Sequence, residues 1–130
     1  AHGGIDVGVP GSLTAQLISP IGGKFVLGSQ PNKPDGTPVG FGPQYPQIHA
    51  TWNGRSIIVF MGHTNAIAPG LVDGAIVKAG DYVATQGTEG KSDGPHLHLD
   101  VRYQEGGTWY YLDVNRWLNS LPIPDNAYRT

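Results

Sequence analysis

The chain contains no cysteine, which excludes a disulfide framework, a thiolate zinc site and a cysteine nucleophile. Charge is sparse as well: 14% of the 130 residues are charged, and the formal net charge is −2. No basic run or basic field is present, so nucleic acid is not an expected partner. No apolar stretch approaches the length needed to span a membrane. There is no internal repeat and no low-complexity tract. What the chain has in abundance is glycine (20) and proline (11). Both penalise helices and favour tight turns between short strands. The length fits one domain, residues 1–130. The chain starts at Ala1 with no initiator methionine and no signal peptide, and a motif begins at its second residue. We therefore expect a domain excised from a longer parent.

Hydrophobic periodicity is mostly two. Ile5, Val7 and Val9 alternate with Asp6 and Gly8, and residues 24–28 read as a short strand. Residues 29–46 hold five prolines with interleaved glycines, a pattern that predicts a long surface loop able to line a groove. Asn53-Gly54 separates IHATW from RSIIVFM and predicts a type I′ hairpin. Residues 75–78 and 82–86 read as two more strands, and 96–103 alternates strictly before Gly106-Gly107 turns it into 108–112. Asp113 is placed to cap one helix, carried by Val114, Trp117, Leu118 and Leu121 and stopped by Pro122. The expected fold is all-β: a small antiparallel sheet or sandwich, loops walling a groove, and one short C-terminal helix.

Five histidines carry the chemistry: His2, His49, His63, His96 and His98. On a strand, His96, His98 and Asp100 share one face while Leu97, Leu99 and Val101 share the other. His2, Gly4 and Asp6 likewise share a face if extended, with Gly4 leaving room between the two polar side chains. Zinc accepts imidazole nitrogen and carboxylate oxygen, and a catalytic zinc usually keeps three protein ligands and one open position. Two histidines and an aspartate suffice for that set, and the remaining histidines can move protons at neutral pH. An isolated H-x-H is weak evidence; its weight here comes from standing in one small domain with H-x-x-x-D, and with His63 at a strand end between them. His49 is read as structural. Asp100 is either an orienting partner of a histidine or a solvated surface aspartate.

The run Gly87-Thr-Glu-Gly90-Lys-Ser92-Asp-Gly94-Pro95-His96-Leu-His98 resembles the signature segment of the lysostaphin-type (LytM-like) zinc peptidoglycan endopeptidases. His2-Gly-Gly-Ile-Asp6 with Pro10 resembles that family's H-x-G-x-D segment, and Val77-Lys-Ala-Gly80-Asp81-Tyr-Val83 its V-x-x-G-D-x-V turn. The resemblance runs from residue 2 to about residue 118. It implies one zinc ion held by His2, Asp6 and His98, with His63 and His96 as catalytic histidines. It further implies an endopeptidase acting on the stems or cross-bridges of bacterial peptidoglycan. The expected setting is the cell wall, as a secreted monomer or as part of a phage or prophage wall-degrading protein. Two departures stand out. The family's aromatic-Ala-His-Leu segment is Met61-Gly62-His63-Thr64 here, and 29–46 has no counterpart in it.

Two other functions fit the sequence less well. A catalytically inactive scaffold that binds zinc or the wall would be expected to have lost ligands, and every ligand position is filled. A lipoyl or biotin carrier would present a modified lysine at a hairpin tip; Lys91, in Glu-Gly-Lys-Ser-Asp, does not resemble such a tip.

Overall fold

A computed structural model describes residues 4–122. Nine strands and one helix follow in order: β1 (Ile5–Val7), β2 (Gln16–Ile18), β3 (Gly23–Gly28), β4 (Tyr45–Trp52), β5 (Arg55–Gly62), β6 (Ile76–Val77), β7 (Tyr82–Thr85), β8 (Leu97–Glu105), β9 (Thr108–Tyr111) and α1 (Val114–Asn119). The main sheet is antiparallel, in the order β1-β8-β5-β4-β3-β6, with β9 also paired to β8; β2 and β7 form a separate pair. This is the all-β fold with one short C-terminal helix that the sequence predicts.

Register gives the main sheet two unlike faces, because side chains alternate along each strand. Ile48 stands opposite Val59, Val59 opposite Val101, and Met61 opposite Leu99. These residues join Phe25, Ile57, Val83 and Trp117 in one core. Full burial of each such side chain stabilises the fold by roughly 1.5–3 kcal/mol. The other face carries Gly62 opposite His98, Phe60 opposite Asp100, and Ile58 opposite Arg102. On the edge strand, Asp6 stands opposite His98. One face therefore builds the core while the other gathers the polar groups.

The turns obey local chemistry. Asn53 and Gly54 have φ of 50° and 74°, and Gly106 and Gly107 have 57° and 83°. Positive φ at both central residues is what a type I′ turn requires. The helix is six residues long, too short to stand on propensity. It is held by the Asp113 carboxylate, which accepts from Arg116 N at 3.1 Å, and by burial of Val114 and Trp117.

Three readings of the sequence change, and one strand is added. The helix ends at Asn119, short of Pro122. Strand β1 ends at Val7, and Val7 and Val9 are exposed. Residues 45–46 belong to β4, not to the loop: Pro46 pairs with Leu27 and is buried. Strand β2 was not legible. It is three residues long and its pairing with β7 is irregular after Leu17.

Candidate active site

Asp6, His63, His96 and His98 line one cleft of about 610 Å³. Its walls are the Gly40-Phe41 segment and residues 91–95, which meet where Lys91 N donates to the Gly40 carbonyl at 2.9 Å. His98 lies on the polar face of β8, and its Nδ1 donates to Asp6 Oδ1 at 2.9 Å. That hydrogen bond, opposed in part by burial and helped by the electrostatics of the neighbouring His96, His98 and His63 rings, holds the Asp6 carboxyl below its ordinary range. His96 immediately precedes β8, and its Nε2 lies 3.5 Å from the same Asp6 oxygen. The His63 and His96 ring centroids are 4.8 Å apart.

His63 follows β5 with φ of 68°, a left-handed conformation unusual for a residue with a side chain. Contacts on both sides hold it there. Its backbone N–H donates to the Phe41 carbonyl at 2.8 Å, and its carbonyl accepts from Glu89 N. Its ring Nδ1 lies 2.6 Å from the Glu89 carbonyl oxygen. A carbonyl only accepts, so the proton resides on Nδ1 and Nε2 is left with its lone pair. His96 is set in the same way: Nδ1 donates to the Gly94 carbonyl at 2.7 Å. Burial pushes the His63 imidazole below the ordinary histidine range, although the Glu89 hydrogen bond opposes this. The neutral form of His63 is thereby favoured.

Gly4 is fitted to this arrangement. At φ of 97° a Cβ on Gly4 would stand 2.5 Å from His98 Nε2, so the space between strand and ring exists only for glycine.

The donor set suits zinc. Asp6 Oδ1 and His98 Nδ1 converge to 2.9 Å. Neighbouring ligands of a tetrahedral zinc with bonds of about 2.0–2.1 Å stand about 3.3 Å apart. Among the described residues no third His, Cys, Asp or Glu completes a metal-holding group with them. His2, the remaining ligand implied by the resemblance, lies outside the described residues. His49 stands apart from the cleft. Its Nε2 donates to Gln47 Oε1 at 2.9 Å, and burial together with Lys24 pushes its imidazole down.

Asp100 is neither of the things the sequence suggests. It is 2% exposed, and its Oδ2 accepts from Arg102 Nη2 at 3.2 Å. Among the described residues no hydrogen bond joins it to a histidine. Arg102 in turn lies over the rings of Phe60 and Tyr111, at 4.5 and 4.9 Å. The site residue that sequence reasoning missed is Phe41. Its ring stacks on His98, with centroids 5.4 Å apart and planes 27° apart. The signal available was a lone aromatic between two glycines in an otherwise featureless loop.

No protein-family profile and no curated protein matches the chain. Solved structures do. The catalytic domain of the antimicrobial peptidase lysostaphin from Staphylococcus simulans superposes with a TM-score of 0.67 at 21% identity, over 92% of this chain and 80% of that one. The catalytic domain of the prophage-encoded M23 protein EnpA from Enterococcus faecalis gives 0.64 at 23% identity, over 88% and 76%. LytU gives 0.63 at 26% identity, over 96% and 77%. The chain has the fold of the M23 peptidases, the lysostaphin and LytM-like group that its His-Leu-His segment resembles.

Proposed function

We propose that the chain is a zinc-dependent endopeptidase that hydrolyses peptide bonds of bacterial peptidoglycan. The observation that carries this reading is the convergence of Asp6, His63, His96 and His98 on one cleft of an M23 fold. Asp6, His98 and His2 would hold the zinc, which supplies a Lewis acid to polarise the scissile carbonyl and acidify water.

The chain's own groups account for the proton steps. His96 Nε2, with its proton on the opposite nitrogen, takes a proton from the attacking water. The Asp6 oxygen 3.5 Å away stands beside the positive charge that this ring then gains. His96 afterwards returns the proton to the leaving amine. His63 is buried and disfavours a cation, so it serves as a neutral acceptor at Nε2 that orients the water. The Phe41 and Lys91–Pro95 walls confine an extended peptide over these atoms.

Among the described residues no helix is long and apolar enough to cross a membrane. We place the protein at the cell wall, acting as a monomer, either secreted or within a phage or prophage wall-degrading protein. Digestion of purified walls tests the reading, with released fragments identified by mass spectrometry. New amino termini should appear, vanish with a chelator and return with zinc. Release of reducing sugar without new amino termini, or digestion indifferent to chelator, would contradict it.

A further inference from the structure

We infer that Phe41 is a positioning residue for His98, delivered by the long loop between β3 and β4, and that it sets how tightly the site holds zinc. The inference rests on the reading of His98 as a zinc ligand through Nδ1. A metal-bound imidazole is normally oriented by a hydrogen bond at its other nitrogen. Among the described residues no hydrogen bond reaches His98 Nε2. Apart from the Nδ1 bond to Asp6, the ring is oriented by packing. Gly4 closes on the Nε2 and Cε1 edge, while Phe41 lies against the face, 5.4 Å between centroids and 27° between planes. That stacked arrangement is favourable for two rings, and a ring packed against this face hinders rotation about the Cα–Cβ and Cβ–Cγ bonds of His98.

A stacking partner is useful only if it is itself fixed, and Phe41 is held at every part. Its N–H donates to Gln30 Oε1 at 2.6 Å, and its carbonyl accepts from His63 N at 2.8 Å. Its ring meets Tyr45 edge-on at 5.2 Å and Phe60 at 5.9 Å. Gly62 makes room for it: a Cβ there would stand 2.7 Å from Phe41 Cδ1. On either side, the Gly40 carbonyl accepts from Lys91 N at 2.9 Å, and that of Gly42 from Gln30 N at 2.8 Å. Gly40 and Gly42 have φ of 54° and 105°, so the segment can take this path only with glycines there. One residue thus holds His63 by its carbonyl and His98 by its ring. The loop that the sequence reads as able to line a groove also preorganises the site before any ligand arrives.

The test is zinc affinity, measured by competition with a chromophoric chelator, beside the melting temperature of the metal-free protein. Phe41→Leu keeps apolar bulk but loses the stacking face. Its zinc affinity should fall about tenfold or more, as for other partners that orient metal ligands. The metal-free melting temperature should change little, and Phe41→Tyr should restore the affinity. Should Phe41→Leu not fold, Gln30→Ala releases the Phe41 N–H and should weaken zinc binding in the same direction. Parental zinc affinity in the folded variant overturns the inference while leaving the endopeptidase reading intact. A parent chain that takes up no zinc overturns that reading, and this inference with it.

Discussion

The Nδ1 of His63 and the carbonyl oxygen of Glu89 lie 2.6 Å apart across 26 residues of sequence. Their bond fixes one tautomer of a buried imidazole at the edge of the cleft, with Nε2 as the nitrogen free to accept. Replacing His63 by alanine should lower kcat for wall digestion by about 10²–10⁴-fold. Zinc content should stay at the parental level, since His63 is not among the proposed ligands. Steady-state rates and metal analysis on the same preparation check both halves.

Gly4 carries a sharper expectation. Gly4→Ala places a methyl group 2.5 Å from His98 Nε2, at a φ of 97° that alanine resists. The ring must turn or β1 must move away, and either separates Asp6 from His98. Zinc affinity should drop by about tenfold or more. Titration of the purified variant with zinc measures it directly.

Gln86 is fully buried and ties the segment after β1 to β7. Its Oε1 accepts from Val9 N at 2.9 Å, and its Nε2 donates to the carbonyls of Val9 and Ser12 at 2.6 and 2.9 Å. Gln86→Leu keeps the volume but leaves the Val9 N–H and the Ser12 carbonyl without partners, and the Val9 carbonyl with the Ser12 N–H alone. The expected loss is about 2–4 kcal/mol, or about 7–15 °C in melting temperature for a domain of this size. Thermal unfolding by circular dichroism reads the shift.

The metal-free protein should lose stability as pH falls below about 6.5. Burial lowers the folded-state affinity of both His49 and His63 for protons. In that window the unfolded chain binds more protons than the folded one, so stability rises with pH and falls as the solution is acidified. The loss accumulates from the unfolded histidine value down to the folded one. His49→Gln removes one of the two contributions and should flatten the slope without touching the cleft. Melting temperatures from about pH 5 to 7.5, with chelator present, show whether it does.

The legible parts of this protein are those in which neighbours in sequence are also neighbours in space. Asn53-Gly54 announces its hairpin because positive φ is a local property. The alternation of His96, His98 and Asp100 against Leu97, Leu99 and Val101 announces a strand with one polar face. His63 was readable as a strand-end histidine, although Gly62 and Thr64 depart from the pattern it resembles. Its neighbour Gly62 now has a reason: only glycine leaves room for the Phe41 ring. Phe41 itself was beyond reach. Its place depends on three segments closing together, near residues 30, 62–63 and 89–91, and no periodicity records such a meeting. Asp100 misled for a related reason. Its face was read correctly, but its partner Arg102 lies further along the same strand and takes the carboxylate away from the histidines.

On the proposed reading the cleft divides into groups that hold a metal and groups that move protons. Zinc content and wall digestion measured together on His98→Ala and His96→Ala test that division most directly. His98→Ala should lose both, whereas His96→Ala should keep about one zinc per chain, the occupancy of a single catalytic site, and lose digestion. An active His96→Ala variant, or a His98→Ala variant that retains its zinc, would contradict it.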